Sequence, residues 1–344
     1  MNNAQPSYIL IPPINNPHII KNPTSLVLLP VKPGFLNRRS RVLLKLDNLQ
    51  PSGSFKSRGI GNYLLHRIRE SEEVGRRPHF YASSGGNAGI ACVVAARSLG
   101  YEASVVVPAT TSPALIARLH AEGATEVIQH GLSVMDADKY LKSVVLASDP
   151  EAVYVPPFDH PDIWEGNSTV MHEIAAQMNG EKPDAVVCSV GGGGLMNGIC
   201  QSLDSLGWTD DVTVLALETE GADSLSRSLQ AKRVITMEKI TSAARSLGVA
   251  TVSKKTFEYA QRPQVINAVL PDGEAAKGCL TLARHERLMV ELTAGIAIRL
   301  CEDQLLEKLM GRELGPDATV VLCVCGGNDI SVEMLMKWQE QYGA

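Results

Sequence analysis

A long apolar run, a surplus of positive charge and an even set of cysteines are all missing from this 344-residue sequence. No stretch approaches the roughly 20 apolar residues that a membrane-spanning helix needs, so no transmembrane segment is predicted. The apolar residues at 8–11 are followed at once by two prolines and preceded by no basic segment, which argues against a secretory signal peptide. The net charge of −5 and the lack of a basic cluster make nucleic acid an unexpected partner. These absences favour a cytoplasmic protein that binds neither a membrane nor a nucleic acid.

The seven cysteines do not have the pattern of a disulfide framework. Their number is odd, and most of them lie in apolar surroundings such as 322–325. Reduced, buried thiols in a cytosolic protein are therefore the favoured interpretation. Cys323 and Cys325 form only a C-x-C pair, so their spacing is weak support for a metal site.

Apolar runs rich in β-branched residues alternate with helical patterns along the chain. The predicted buried strands are 42–46, 80–82, 103–107, 185–190, 212–217 and 319–324. The predicted helices are 56–69, 87–99, 113–122, 133–147, 168–178 and 194–206. This order predicts an α/β protein with open, mostly parallel sheets flanked by helices. Because the length exceeds the usual limit of a single core, two domains are expected.

Three short segments carry the chemistry. Residues 51–56 read Pro-Ser-Gly-Ser-Phe-Lys and place Lys56 behind a small, flexible turn. Residues 83–89 form a loop that opens a helix, whose unpaired N–H groups suit a carboxylate or a phosphate. Four glycines at 191–194 follow an apolar strand, and a close approach of main-chain amides to phosphate oxygens explains them best. Together the segments predict a site for a phosphorylated cofactor that a lysine can attack.

Each segment also has a plainer interpretation. Lys56 could be a solvated surface lysine, and 83–89 could be only a helix cap with a flexible loop. The compact, uncharged approach to Lys56 can instead lie inside a cleft, where a desolvated amine becomes a nucleophile. The four glycines do not follow the G-x-G-x-x-G pattern, so a dinucleotide site is not predicted.

The same segments, taken in order, resemble the motifs of a known family. Residues 51–56, 84–87, 189–195 and 325–328 are similar to those of the serine/threonine dehydratases, which are fold type II (tryptophan-synthase-β-like) pyridoxal phosphate enzymes. The closest resemblance is to the catabolic L-serine dehydratases of animals and fungi, and it runs from about residue 42 to 330. It implies two open, mostly parallel twisted sheets with the cofactor in the cleft between two domains. The large cofactor-binding domain would comprise 1–47 and 159–344, and 48–158 would form a small domain that closes over substrate.

The resemblance also implies roles for the cofactor site. Lys56 would form the Schiff base with the cofactor aldehyde and later take the substrate α-proton. Phe55 would form a wall beside the cofactor ring, and Cys325 would face its pyridine nitrogen. A neutral thiol there makes the ring a milder electron sink than a carboxylate would, which suits elimination; on its own, Cys325 also reads as a buried core thiol. The residues that would cradle the cofactor phosphate are Gly191, Gly192, Gly193, Gly194 and Leu195.

Substrate contacts follow from the second motif. Ser84, Gly85 and Asn87 would receive the substrate carboxylate, Ser84 would also take part in catalysis, and Asn87 would hydrogen-bond the ring hydroxyl of the cofactor. The chain departs from the family nearby, because Leu292 and Thr293 replace the usual Pro-Ala after Glu291. The sequence departs from the family pattern at two further places, Asn167 and residues 22–24.

The resemblance further implies a monovalent cation, potassium, beside Glu218. Without that context Glu218 reads as an ordinary carboxylate at the end of a strand. Oxygen ligands at a loop junction suit a hard cation. The carbonyl positions that match the family's cation site are Ala222, Ser224, Leu247 and Val249.

The reaction implied is β-elimination of L-serine, and of L-threonine, to the 2-oxo acid and ammonia by a pyridoxal phosphate lyase. A cytoplasmic homodimer is expected. Two alternatives stay open from the sequence: β-replacement or racemisation of a related amino acid with the same cofactor, and a non-catalytic homologue that only binds amino acids.

Overall fold

The computed structural model describes residues 26–28, 40–302 and 304–342. The apolar residues at 8–11 and the departure at 22–24 lie outside this part of the chain. Its described residues fall into two compact units. The large unit contains 26–28, 40–49, 168–302 and 304–342, and the small unit is Gln50–Asn167.

Ten strands are present in the described residues, numbered in chain order. They are β1 Leu26–Leu28, β2 Arg41–Lys45, β3 His79–Ala82, β4 Glu102–Val107, β5 Glu126–Gln129, β6 Ala152–Tyr154, β7 Ala185–Ser189, β8 Thr213–Thr219, β9 Val265–Leu270 and β10 Thr319–Cys323.

The helices of the same residues are numbered likewise. They are α1 Lys56–Glu73, α2 Asn87–Leu99, α3 Pro113–Glu122, α4 Val134–Tyr140, α5 Leu146–Ser148, α6 Pro161–Gln177, α7 Gly194–Leu206, α8 Ser224–Ala231, α9 Lys254–Tyr259, α10 Asp272–Glu286, α11 Leu292–Arg299, α12 Leu305–Met310 and α13 Val332–Tyr342. A π-helical stretch, Leu141–Val145, joins α4 to α5, and single 3-10 turns lie at Asp47–Leu49 and Arg245–Leu247.

The large unit is built on a six-stranded sheet in the order β1-β2-β10-β7-β8-β9. Only the β1–β2 pairing is antiparallel, and the remaining neighbours run parallel. Every residue of β7 and β10 is buried, as expected for central strands that are covered on both faces. Helix α11 packs against β7, β8 and β10, and α10 packs against α11.

The small unit has a four-stranded parallel sheet in the order β5-β4-β3-β6. Its two faces follow the alternation of side chains along each strand. Phe80 and Val105 join the core that includes α2. Tyr81 and Val106 join a second cluster with Leu141 of the π-helical stretch. The sheet is therefore covered by helical residues on both faces.

The prediction of an α/β fold with two mostly parallel sheets is confirmed. All six predicted strands are present, but β1, β5, β6 and β9 were not predicted. These four lie at sheet edges. Strands β5, β6 and β9 are only partly buried, so they lack the continuous apolar run of a central strand. The structure also corrects the start of α6, which begins at Pro161 and not at Ser168. A proline fits the first turn of a helix because its missing N–H would have no helical partner there.

Two expectations about the surface and the thiols can be compared with the structure directly. All seven cysteines are buried. Within the described ranges, no helix has the length and apolar character needed to cross a bilayer.

Candidate active site

Lys56 is held at the start of α1 by a tight serine turn. Gly53 adopts a φ of +75°, in the left-handed region that favours glycine. The Ser57 hydroxyl lies 2.8 Å from the Ser52 hydroxyl and accepts the Ser52 N–H at 3.0 Å. Phe55 is the N-cap residue of the helix, and Lys56 is its first residue. The small residues of the motif thus allow the chain to fold back sharply just before the lysine.

The amine of Lys56 is not simply solvated. Its Nζ donates a hydrogen bond to the carbonyl oxygen of Pro157 at 2.5 Å. The same nitrogen lies 5.3 Å from the ring centroid of Phe55 and 6.0 Å from that of Phe158, within or at the limit of cation–π contact. Lys56 and Phe55 are both half-buried. This environment supports the interpretation of Lys56 as a functional amine over that of an ordinary surface lysine.

The 83–89 loop leads from β3 into α2. Gly86 is the exposed N-cap residue of α2, and glycine has no side chain that could cap the helix. Ser84, Gly85 and Asn87 are partly buried. A Cβ atom on Gly89 would lie 1.6 Å from the carbonyl oxygen of Ser84, so the first turn of α2 is pressed directly onto the loop. The loop therefore keeps a fixed backbone path while its polar groups stay within reach of a ligand.

The glycine run 191–194 follows β7 and opens α7, and Leu195 is the second residue of that helix. All five residues are buried. Gly193 has a φ of +92°, and a Cβ atom there would lie 1.9 Å from Oγ1 of Thr256. The Thr256 hydroxyl also donates to Oδ1 of Asn197 at 2.8 Å. Position 193 therefore accepts only glycine, on grounds of both conformation and space.

Cys325 lies close to the strand that leads into the glycine run. Its Sγ is 3.4 Å from Oγ of Ser189, the last residue of β7. Since β10 and β7 are parallel neighbours, both residues lie at the carboxyl ends of adjacent strands, where ligands of open α/β sheets bind. Burial raises the pKa of the Cys325 thiol to about 12, so it is neutral at physiological pH.

Glu218 is a fully buried carboxylate in β8. It accepts hydrogen bonds from the backbone N–H groups of Leu225 and Ser226, each at 2.8 Å, and from Nδ2 of Asn267 at 3.1 Å. Burial raises its pKa to about 7, and the three hydrogen bonds limit the rise. A buried carboxyl with this pKa would gain from a neighbouring cation.

The four carbonyl positions predicted beside Glu218 lie in two segments of the large unit. Ala222 closes a turn with Thr219 after β8, and Ser224 is the first residue of α8. Leu247 ends the 3-10 turn Arg245–Leu247, and its carbonyl oxygen accepts the N–H of Val249 at 2.7 Å. A Cβ atom on Gly191 would lie 3.1 Å from the Leu247 Cα, so this second segment packs directly against the glycine run.

The two residues that replace the family's Pro-Ala after Glu291 lie in a buried part of the large unit. Leu292 and Thr293 are the first residues of α11, and both are buried. Oγ1 of Thr293 is buried without a hydrogen-bond partner in the part of the chain that the structure describes. A shallow pocket in the large unit is lined by Thr293, Glu291 and Ser246, among others.

Two features of the site were not predicted from the sequence. The sequence assigned no role to Pro157 or Phe158, yet the Pro157 carbonyl and the Phe158 ring are neighbours of the Lys56 amine. Thr256, which confines Gly193, has no sequence signal at all. Its contact with the glycine run joins residues more than sixty positions apart, as the bond from its hydroxyl to the Gly192 carbonyl also does.

A cluster of His66, Asp162 and Glu165 between α1 and α6 brings metal-ligand atoms within 4.8 Å of one another. Nε2 of His66 is 3.2 Å from the Glu165 carboxylate. Asp162, however, already pairs with the Arg67 guanidinium at 2.8 Å. Because a metal ion would have to displace this cation, the cluster is better described as an ion-pair network that joins two helices.

Comparison with known families and proteins gives consistent results. The profile of the family described as "Pyridoxal-phosphate dependent enzyme" matches residues 18–326. The "Catabolic L-serine/threonine dehydratase" of Saccharomyces cerevisiae is 38% identical over 307 residues, which cover 86% of this chain and 85% of that protein. The "L-serine dehydratase/L-threonine deaminase" of Homo sapiens is 39% identical over 304 residues, covering 88% and 90%.

A solved structure is also similar over nearly the whole chain. The fungal L-serine ammonia-lyase from Rhizomucor miehei superimposes with a TM-score of 0.85 at 34% sequence identity, and the match covers 93% of this chain and 98% of that one. The two-sheet architecture is therefore shared along with much of the sequence.

Proposed function

Because this chain belongs to the family of pyridoxal-phosphate dependent enzymes, we propose that it is an ammonia-lyase acting on L-serine and L-threonine. The reaction removes the α-proton and the β-hydroxyl, and the enamine that remains takes up water to give the 2-oxo acid and ammonia. The observation that carries the proposal is the identity of 38–39% with the two dehydratases over more than 300 residues. Lys56, with its amine beside a carbonyl and two aromatic rings, supplies the reactive group.

The residues present fit the cofactor. The glycine run at the start of α7 offers main-chain N–H groups to a phosphate, and Thr256 packs so closely against Gly193 that the run has no room for a side chain there. Phe55 supplies an apolar surface for a ring, and Asn87 supplies a polar side chain for a ring hydroxyl. When bound, pyridoxal phosphate supplies an aldehyde for covalent attachment and an electron sink for the substrate carbon.

Lys56 has two tasks in this proposal. Its amine would hold the cofactor covalently through the aldehyde, and the same amine would accept the substrate α-proton once an amino acid has taken its place. The Pro157 carbonyl can orient the amine because it accepts one of its N–H groups. An amine held at a fixed position abstracts a proton more efficiently than one that samples many rotamers.

Cys325 supports elimination over competing reactions. Its thiol is neutral, because burial raises its pKa to about 12. A neutral thiol would not stabilise the protonated pyridine nitrogen of bound pyridoxal phosphate as a carboxylate would, so negative charge on the substrate carbon would be short-lived. Loss of the β-hydroxyl then competes well with reprotonation of that carbon.

The 83–87 loop is proposed to receive the substrate carboxylate. Ser84 and Gly85 belong to the loop, and Asn87 begins α2, whose N-terminus favours a negative charge. Ser84 would also contribute to catalysis through its hydroxyl. Binding of the carboxylate at a helix terminus fixes the amino acid so that its α-carbon is presented to a base.

We also propose a potassium ion beside Glu218, with the carbonyl groups of Ala222, Ser224, Leu247 and Val249 as further ligands. The raised pKa of Glu218 supports this because a buried carboxyl near neutrality is readily ionised by a cation. Assembly as a homodimer in the cytoplasm, where buried cysteines stay reduced, is proposed from the family resemblance.

Product analysis distinguishes the proposed reaction from its alternatives. Purified protein with pyridoxal phosphate is incubated with L-serine, with and without a thiol acceptor, and pyruvate, ammonia, thioether product and D-serine are measured. The proposal predicts equal amounts of pyruvate and ammonia, unchanged by the thiol. A thioether product would indicate β-replacement, and D-serine without pyruvate would indicate racemisation. Bound cofactor without turnover of any amino acid would support a non-catalytic homologue.

A further inference from the structure

One carboxylate of the small unit joins the substrate loop to two neighbouring elements. Asp138 lies in α4, and its Oδ1 accepts hydrogen bonds from the Ser83 hydroxyl at 2.7 Å and from the Tyr154 hydroxyl at 2.8 Å. Its Oδ2 accepts the Lys142 ammonium at 2.7 Å. The Asp138 side chain is 28% exposed, so these bonds are partly shielded from water.

Asp138 remains ionised at physiological pH. Partial burial opposes its ionisation, but the hydrogen bonds from Lys142, Ser83 and Tyr154 hold the pKa of its carboxyl below the usual range. Lys142 also lies over the Tyr154 ring, 4.4 Å from the centroid. Hydrogen bonds to a charged acceptor are stronger than those between neutral groups. Asp138 can therefore hold both hydroxyl groups firmly.

The bond to Ser83 acts directly on the substrate loop. Ser83 is buried and comes immediately before Ser84, the first residue proposed to contact the substrate carboxylate. On the other side, Gly89 lies so close to the Ser84 carbonyl that no side chain fits between them. The short loop is thus held by Asp138 at its start and by α2 at its end.

The bond to Tyr154 leads towards Lys56. Tyr154 is the last residue of β6, and the chain continues from it to Pro157, whose carbonyl accepts the Lys56 amine. The Tyr154 carbonyl in turn accepts the hydroxyl of Tyr63, a residue of α1. The Asp138 carboxylate is therefore hydrogen-bonded to the first residue of the substrate loop, Ser83. It is also hydrogen-bonded to the last residue of β6, which precedes the segment containing Pro157.

We propose that Asp138 is a positioning residue that keeps the 83–87 loop in the shape that receives the substrate carboxylate. The inference rests on the proposed function of that loop. The competing explanation is that Asp138 only fastens α4 to the sheet, in which case its loss would lower stability without a selective effect on substrate binding. The two explanations differ in which kinetic constant they move.

The test compares three substitutions with a control in the same helix. Asp138→Ala removes all three hydrogen bonds, whereas Asp138→Asn keeps an oxygen that can accept from both hydroxyl groups. Ser83→Ala removes the loop's side of the contact. The control is Asp136→Ala. Asp136 is exposed and forms the capping box of α4 with Ser133, so the substitution should weaken this helix without removing a contact of the substrate loop.

Loss of the charged hydrogen bond should raise KM for L-serine about tenfold in Asp138→Ala and change kcat less than about threefold. Asp138→Asn should stay within about threefold of the wild type in both constants, because its amide oxygen can replace the neutral part of the contact. Ser83→Ala should also raise KM. The double variant that carries Asp138→Ala and Ser83→Ala should have no higher KM than Asp138→Ala alone, because both substitutions remove the same hydrogen bond. The control should lower Tm without raising KM.

Hydrogen exchange of the backbone amides of 84–88, measured without substrate, provides a readout that is independent of turnover. Exchange should be faster in Asp138→Ala and unchanged in the Asp136→Ala control. An unchanged KM in Asp138→Ala, or an equal rise in the control, would overturn the inference. If the wild type released no 2-oxo acid, the proposed function would fail by itself, and unchanged exchange in Asp138→Ala would still show that Asp138 does not hold the loop.

Discussion

The substitution Gly193→Ala tests whether the glycine run must have its observed backbone shape. Gly193 has a φ of +92° and caps the N-terminus of α7. The added Cβ atom would lie 1.9 Å from Oγ1 and 2.6 Å from Cβ of Thr256, a residue with no exposed surface. Because the overlap involves both atoms, a rotation of the threonine side chain cannot relieve it. Either α7 or α9 has to move.

The size of the effect follows from three contributions. A left-handed backbone conformation with a Cβ atom costs about 1–2 kcal/mol. Overpacking in a buried region costs a further 1–3 kcal/mol or so. Displacement of Thr256 breaks its hydrogen bond to Asn197, worth about 1 kcal/mol. The free energy of unfolding should therefore fall by about 3–6 kcal/mol.

Gly207 provides a matched control at the other end of the same helix. It has a φ of +68°, but no atom lies within 4 Å of a Cβ atom built on it. Gly207→Ala should cost only the conformational part, about 1–2 kcal/mol. Urea unfolding of both variants without cofactor measures the difference. Cofactor binding is measured by titration with pyridoxal phosphate, followed by absorbance. Gly193→Ala, but not Gly207→Ala, should bind the cofactor at least about tenfold more weakly, because the loss of one charged hydrogen bond has an effect of this size. Equal stability and equal cofactor affinity of the two variants would show that position 193 does not need glycine for space or for cofactor binding.

Three further predictions concern the rest of the site. Cys325→Asp should reduce elimination of L-serine and increase racemisation or transamination, since a carboxylate would stabilise the protonated form of the pyridine nitrogen. Cys325→Ser, which is neutral, is the control, and unchanged product ratios in the aspartate variant would mean that Cys325 does not face the ring. Burial raises the pKa of Glu218 from its ordinary 4.5 to about 7. Between these two pH values the folded protein holds the proton more tightly than the unfolded chain does. Without potassium, the free energy of unfolding should therefore fall as pH rises from about 4.5 through 7. Added potassium should restore the lost stability, Glu218→Gln should abolish both effects, and a flat pH profile in the wild type would contradict the assignment. Thr293→Ala should raise the free energy of unfolding by up to about 1 kcal/mol, because the buried hydroxyl has no partner in the described residues. Alone or combined with Leu292→Pro, it should leave L-serine turnover unchanged. Poor L-serine turnover in the wild type that these substitutions improve would instead indicate a pocket specialised for another amino acid.

Central strands and backbone turns were the parts of this protein that could be predicted from sequence. Strands β7 and β10 are buried on both faces, so they appear as continuous apolar runs. The turn before Lys56 and the glycine run depend on local conformation, and glycine reports such positions directly.

Edge strands and distant contacts could not be predicted in the same way. Strand β5 is partly exposed along its length and has no continuous apolar run. Helix α6 starts at Pro161, where the sequence also permits a loop. The contact of Asp138 with Ser83 joins residues 55 positions apart, and no local pattern pairs them. Such contacts are set by the packing of the sheet and its helices.

The identity of the lysine that carries the cofactor is the central claim, and one labelling measurement tests it. The protein is reduced with borohydride in the presence of pyridoxal phosphate, digested, and its peptides are analysed by mass spectrometry. The pyridoxyl group should be found on Lys56 and be absent from the Lys56→Ala variant, which should also release no pyruvate from L-serine. Lys45 is a natural contrast, because its buried amine is held by Glu173 at 2.6 Å and by Gln177 at 2.9 Å and should remain unlabelled. A label on Lys45 or on any other lysine, with Lys56 unmodified, would contradict the account.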